Sequence, residues 1–199
     1  MHDELARVVV AHRELSDVLH EITTVSRRAM PQTDAASITL VQSGEAFTAG
    51  YDGELALTAD ELQYDRGYGP CLEAGRTKQT LHIHDMRAEQ RWADYTRHAA
   101  EHGVGSSLSV PLPLHYMVVG ALNSYAHKPH AFNKDDVSLA EEVAGWVALA
   151  VSNAEASTMT PEQLHLIRTT MMSGTALEHL RDDAARAARS DPSAARPPQ

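Results

Sequence analysis

The stretch 62-LQYDRGYGPCLEAGRTKQTLHIHDMRAEQRW-92 holds the chain's only cysteine together with Gly67, Gly69, Pro70, Tyr64, Tyr68, His82, His84 and Trp92. Gly67 and Gly69 bracket Tyr68 and precede a proline, a combination that breaks regular structure and permits positive φ. Proline suits the first helical position and glycine tolerates the cap before it, so Gly69-Pro70 opens a short helix with Cys71 as its second residue. The thiol then sits over the exposed N–H groups of a helix start. Thr80–Asp85 reads as a strand after that helix, and Asp85 ends it before a further helix anchored by Trp92. Loop, helix, strand and helix together read as one wall of a small-molecule pocket.

The remaining sequence reads as scaffold around that wall. Asp3–Met30 carries Leu5, Val8, Leu15, Leu19 and Ile22 at steps of three and four once His12 joins the series, a helical seam of coiled-coil type that Pro31 stops. Ala36–Val41 and Ala46–Tyr51 are short β-branched and aromatic runs joined through Ser43-Gly44, and form a hairpin. Leu55–Leu62 is a weak helix or loop. The pattern from Trp92 to His102 is helical and closes at Gly103. Ser106–Leu114 and Met117–Ala126 form a second hairpin about His115-Tyr116, which puts Pro111 and Pro113 at an edge or bulge.

Asn133 caps a long helix, with Asp135 and Asp136 in the first turn where the helix dipole favours negative charge. Its Val137, Ala140, Ala144, Val147 and Val151 again step by three and four. Two such seams flanking a sheet predict terminal helices that pack beside each other and against a second subunit, giving a homodimer. Thr160-Pro161 starts a fresh helix that runs toward Ser190, and the Pro-rich tail 190–199 is too polar to fold alone. The organisation read from the chain is therefore a sensory domain over 1–156, a helical segment over 157–189 and a tail.

Composition narrows the function. A net charge of -10 and a pI near 5.6 argue against non-specific binding to DNA, RNA or anionic membrane, all of which select basic surfaces. A single cysteine excludes an internal disulfide and suits a reducing cytoplasm. The start, MHDELARVVVAHREL, has no secretory pattern, and no run approaches the length of a membrane helix. The expectation is a cytoplasmic protein with no membrane partner.

The order of these elements, with Gln63-Tyr64, Gly67 to Ala74, Asp85, Arg91-Trp92, Gly103-Val104, Ser106, Pro111-Leu112, Gly120 to Asn123, Tyr125 and Ala131-Phe132, resembles the GAF domains that precede RNA-binding ANTAR domains in actinobacterial regulators. The resemblance covers about Asp3–Ala154. It implies an α+β fold: a central antiparallel β-sheet, terminal helices packed on one face and forming a dimer, and a ligand pocket on the other. It also implies a sensor in signal transduction or transcription regulation rather than an enzyme. Leu164–Ala188 is similar to the opening of an ANTAR domain, but the alanine-lysine-glycine signature and two further helices are missing, so the segment reads as a truncated remnant.

Cys71 is the sharpest candidate for chemistry. A thiolate at a helix N-terminus, with Arg66 or Arg76 nearby, makes a redox sensor; the alternative is a small buried hydrophobe. Some GAF-fold proteins reduce methionine sulfoxide, but they resolve the oxidised cysteine with a second one, which this chain lacks. Bilin attachment uses cysteine followed by histidine, and Leu72 follows Cys71. Ser107, Ser109, Asn123 and Tyr125 put polar groups on one side of two strands, and in a closed pocket they would orient a ligand. Tyr64, Tyr68 and Trp92 supply aromatic walls, or simply pack.

His82 and His84 alternate on a strand and share a face, while His98 and His102 are one helical turn apart. They are weak candidates for zinc, iron or haem in a chain with twelve histidines. No cofactor is assigned. The acidic pairs Asp60-Glu61, Asp135-Asp136 and Glu141-Glu142 read as helix starts or solvated faces. The leading expectation is small-molecule or redox sensing, with an unidentified ligand. The alternatives are an RNA-binding antiterminator acting through the C-terminal helix and a single-cysteine redox enzyme.

Overall fold

The structure, a computed structural model, describes residues 1–10, 14–114 and 119–158. Contacts group Met1–Ala154 into one compact unit. Five strands form its sheet: β1 (Ala35–Gln42), β2 (Glu45–Asp52), β3 (Leu81–Ile83), β4 (Ser106–Pro111) and β5 (Val119–Ala126). Their order is β2-β1-β5-β4-β3, with every neighbouring pair antiparallel. The fold is the α+β GAF arrangement expected from the sequence.

Alternation along the strands divides the sheet into two unlike faces. Ile38, Leu40, Leu108, Val110 and Leu122 point to one face and join a single apolar cluster with α1 (His2–Val10), α2 (Leu15–Ala29) and α6 (Lys134–Thr158). Their neighbours along the strands, Ser37, Thr39, Ser107, Ser109, Asn123 and Tyr125, point to the other, beneath α3 (Glu54–Arg66), α4 (Pro70–Thr77) and α5 (Ala93–Glu101).

Several boundaries differ from the expectation. The N-terminal seam is two helices rather than one, because Glu14 is extended (φ -60°, ψ 140°) and α2 begins anew at Leu15. Leu5 and Val8 on α1 and Val18, Leu19 and Ile22 on α2 still reach the same core, so the apolar spacing was sound and only continuity failed. The weak helix or loop at Leu55–Leu62 is a full helix, α3, that continues to Arg66 and ends on Gly67 in the left-handed conformation (φ 67°). The strand expected over Thr80–Asp85 shrinks to Leu81–Ile83.

Pro111 closes β4 opposite Ala121, past the last residue of β3 in register, Leu81 opposite Ser109. Leu112 N–H turns to Gly120 O, so the missing N–H of Pro111 falls on the side where no strand remains. At the start of α6 the Asn133 cap is observed. Its Oδ1 accepts from the N–H groups of Asp135 and Asp136, and Asp136 Oδ2 accepts from Asn133 N–H. His12, the turn at His115-Tyr116, the helix from Thr160 and the tail lie outside the described residues.

Candidate functional site

The face beneath α3, α4 and α5 is built from polar side chains withdrawn from water. Ser37, Thr39, Asp60, Gln63, Ser107, Ser109 and Asn123 are each at most 1% exposed. Asp60 and Gln63 reach this interior because α3 buries the stripe Ala56, Ala59, Asp60 and Gln63, at helical spacing, against the sheet. Asp60 was expected on a solvated face. That expectation is corrected: the alanines let the helix approach closely, and the approach carries the carboxyl inside, whereas Glu61, Asp135, Glu141 and Glu142 are exposed as expected.

Asp60 is the hub of the site. Its Oδ1 accepts from Tyr125 Oη at 2.6 Å and its Oδ2 from Thr48 Oγ1 at 2.8 Å. Burial raises its carboxyl from the ordinary 3.8 to about 6, against the lowering effect of these hydrogen bonds. Tyr64 Oη lies 3.0 Å from Thr48 Oγ1 and 2.9 Å from Thr39 Oγ1, and Asn123 Nδ2 donates to Thr39 Oγ1 at 2.9 Å and to Ser37 Oγ at 3.3 Å. Gln63 Nε2 donates to Tyr125 Oη and to Ala59 O, while its Oε1 accepts the Cys71 N–H at 2.8 Å. Gly69 makes room for that last bond: a Cβ there would meet Gln63 Oε1 at 2.3 Å, and its φ is +155°.

Among the described residues, four buried polar atoms in or beside this cluster have no hydrogen-bond partner: Ser107 Oγ, Ser109 Oγ, Asn123 Oδ1 and Tyr95 Oη. Ser37, Asn123 and Ser109 are register neighbours on three adjacent strands, so two of these oxygens belong to one row across the sheet. An unpartnered buried polar group costs about 1–3 kcal/mol, and such a row is suited to a ligand that completes it.

Cys71 sits under α4 as expected, at the second position of a helix opened by Gly69 and Pro70. Of the two readings of its chemistry, redox thiolate or small buried hydrophobe, its surroundings match the second. The thiol is buried, its own N–H is taken by Gln63, and burial followed by the Asp60 charge pushes its pKa well above the ordinary range. Arg66, expected to help ionise it, pairs instead with Asp94 at 2.7 Å. The environment therefore disfavours the thiolate that a reactive cysteine needs.

The other candidate residues separate. Tyr64, Ser107, Ser109, Asn123 and Tyr125 converge on the cluster. Tyr68 does not; it is 39% exposed. Trp92 is buried in the apolar group with Tyr95 and Ile83, donates from Nε1 to Glu73 Oε2 at 3.0 Å, and carries the Arg91 guanidinium on its ring, so it ties α4 to the start of α5. His82 and His84 share a face with ring centroids 3.8 Å apart, but it is the opposite face, since His82 lies in register with Leu108. His130 stacks near His84, and among the described residues no group of three His, Cys, Asp or Glu side chains is arranged to hold a metal ion. His98 and His102 direct Nδ1 to the carbonyls of Asp94 and His98 on their own helix. An open groove of about 320 Å³ between α5 and the turn after β3, lined by Met86, Arg87, Ala93 and Arg97 among others, lies apart from the buried cluster.

Asp60, Thr48, Thr39, Ser37, Gln63 and Tyr95 were not singled out for the site from sequence. The signal available was α3 itself, whose inward stripe is small or polar and so has no apolar period to read. None of the helices is long and apolar enough to cross a membrane among the described residues.

Comparison with known proteins places this architecture. Among curated proteins none matches the chain. Among solved structures, the GAF domain of an Acinetobacter phosphoenolpyruvate-protein phosphotransferase is 19% identical, with a TM-score of 0.60 over 80% of this chain and 96% of that one. A free methionine-R-sulfoxide reductase from Neisseria meningitidis, solved with its substrate, is 15% identical with a TM-score of 0.61 over 79% of this chain and 91% of its own. A Synechocystis GAF domain in its photoproduct state is 13% identical, with a TM-score of 0.58 over 72% and 96%. At these identities the likeness shows the fold alone. The sequence itself matches the family model of the GAF domain over residues 12–152, well over half of the chain, and the protein belongs to the GAF domain family.

Proposed function

We propose that the protein is a sensory GAF module that binds a small ligand between the sheet and α3, α4 and α5, and passes occupancy to its terminal helices. The observation that carries the reading is the row of buried, unpartnered oxygens at Ser109 and Asn123, with Ser107 beside it. A bound ligand would supply the missing partners, and the binding energy would shift the population of helix arrangements. Asp60 is the charged group in the hydrogen-bonded cluster, and among the described residues no arginine or lysine is bonded into it, so the site favours neutral or cationic ligands over carboxylates and phosphates. The module acts as a homodimer through α2 and α6 in cytoplasmic signalling that ends in transcription regulation. The C-terminal ANTAR-like segment and any RNA contact belong to the same proposal, at its outer edge.

Likeness to free methionine-R-sulfoxide reductases supports a second reading, a Cys71-dependent redox enzyme. The buried thiol with its raised pKa and the absence of a second cysteine weigh against it. Native mass spectrometry of the full chain from fresh lysate separates the two. Ligand sensing predicts a non-covalent small-molecule adduct that is retained in Cys71→Ser and lost in Asn123→Leu. A chain without adduct, whose only response to mild peroxide is a mass gain absent in Cys71→Ser, would overturn sensing in favour of thiol chemistry.

A further inference from the structure

For each protonation state of Asp60 the hydrogen bonds around it have one consistent set of directions, and it extends to the Asn123 amide. The Cys71 backbone N–H can only donate, so Gln63 must present Oε1 to it and Nε2 to Tyr125. Tyr125 Oη accepts from Gln63 and therefore sends its own proton to Asp60 Oδ1. That oxygen is held as an acceptor from a fixed backbone donor. The other oxygen, Oδ2, heads a second chain. With Asp60 ionised, Thr48 donates to Oδ2, Tyr64 donates to Thr48, Thr39 donates to Tyr64, and Asn123 can meet Thr39 only with Nδ2. Asn123 Oδ1 is then left without a partner, as observed.

Protonation of Asp60 inverts this second chain and leaves the one through Tyr125 and Gln63 as it is. Oδ1 is committed to Tyr125, so the proton resides on Oδ2 and points to Thr48. Each hydroxyl along Thr48, Tyr64 and Thr39 carries one proton, so each turns its donor to the next member. Thr39 then donates to Asn123, whose amide must rotate to offer Oδ1 to Thr39 and Nδ2 to the row. No atom leaves the chain: one proton is added at Asp60, and the donor sense of the amide reverses.

We infer that Asp60 is a positioning residue that sets, through Thr48, Tyr64 and Thr39, whether Asn123 presents an acceptor or a donor to the ligand. The inference rests on the ligand-binding reading for its use, though not for its mechanism. A neutral or cationic ligand with an N–H or O–H aimed at Asn123 is selected when Asp60 is ionised, and one offering an acceptor when it is protonated. The titratable groups facing Asp60 are Tyr125 on β5, Tyr64 on α3, Cys71 on α4 and Tyr95 on α5, all uncharged near neutral pH, with the hydroxyls of Ser37 on β1 and Thr48 on β2. Ser37 Oγ, the other acceptor of Asn123 Nδ2, follows the amide and donates to its Oδ1 once it has rotated.

The test needs no ligand. Side-chain amide resonances of Asn123 and the carboxyl carbon of Asp60 are followed by NMR in the full chain from pH 4 to 8. The expected result is one step in the Asn123 amide, coincident with the Asp60 carboxyl step near pH 6. Asp60→Asn, whose amide must donate to Thr48 and accept from Tyr125, should hold Asn123 in its low-pH position throughout. Tyr64→Phe and Thr48→Val should leave the Asp60 step in place and abolish the Asn123 step. An Asn123 amide that stays flat while Asp60 titrates, or still follows Asp60 in both Tyr64→Phe and Thr48→Val, would overturn the relay. Failure to find a ligand by mass spectrometry would leave these resonances unaffected, so the two readings fail separately.

Discussion

The two faces of the sheet are made by alternate residues of the same strands, yet they are opposite materials. On one, Ile38, Leu108, Val110 and Leu122 meet Leu19, Ile22, Val143 and Val147 in a predominantly apolar cluster. On the other, Ser37, Thr39, Ser109 and Asn123 meet a carboxyl, a glutamine and tyrosines under α3 and α4. Each face buries polar atoms without partners, Ser26 Oγ, Ser124 Oγ and His82 Nε2 on the first and Ser107 Oγ, Ser109 Oγ, Asn123 Oδ1 and Tyr95 Oη on the second, but the second gathers them around a buried carboxyl raised toward neutrality.

If this division is real, truncating the apolar face should cost far more than truncating the polar one. Leu122→Ala, at 1% exposure between α2 and α6, should lose about 2–5 kcal/mol in urea unfolding, with ligand binding failing only because the fold does.

A charge test follows, somewhat smaller. The raised carboxyl of Asp60 holds its proton more tightly in the folded chain than in the unfolded one. The stabilisation this confers is present below about pH 4 and lost as pH rises through about 6. Asp60→Asn removes that dependence and should be more stable than the parent at pH 8 by about 2–3 kcal/mol, since each tenfold change in proton affinity between the folded and unfolded chain corresponds to roughly 1.4 kcal/mol. Urea midpoints at pH 4 and pH 8 decide it. Equal losses for both proteins would place the carboxyl in water.

His82, on the other face, titrates in the reverse sense. Desolvation, with His84 and His130 nearby, lowers it from 6.5 to about 4, so its contribution is present above pH 6.5 and lost as pH falls toward 4. His82→Gln should flatten the acid limb of the stability profile while leaving the limb due to Asp60 intact.

Gly69→Ala should cost about 1–3 kcal/mol through its positive φ, and more where Gln63 must move, with the loss of the Cys71 to Gln63 bond visible as faster amide exchange at Cys71. Ser109→Ala should have the smallest effect on stability, within about 1 kcal/mol and in either direction, because its Oγ has no partner to lose. A loss comparable to that of Leu122→Ala would mean that the polar face is ordinary core, and would break the contrast.

Much of this was legible from the chain. Periodicity located the seams of α1, α2 and α6, because apolar spacing reports which side of a helix is buried whatever it packs against. Gly69, Pro70 and Asn133 marked helix starts through local chemistry that needs no tertiary partner. Ser107, Ser109, Asn123 and Tyr125 could be placed on one side of two strands by alternation alone. The expected single N-terminal helix failed at Glu14 because a seam at steps of three and four continues across a break that preserves it.

What alternation could not decide was whether that polar side met water or protein, and this depended on α3. Ala56, Ala59, Asp60 and Gln63 form a buried stripe with no apolar contrast, so the helix looked weak and its aspartate looked solvated. Only the close approach of α3 to β1 and β2 put the carboxyl out of water, and with it came the charge that, after burial, helps decide Cys71 for the buried reading. The sequence by itself determined the elements, the family and the alternation of the strands, because these depend on spacing along the chain. The tertiary structure decided which polar groups face one another and how strongly they feel it, because desolvation and hydrogen-bond direction are properties of neighbours brought together from β1, β2, α3, α4 and β5.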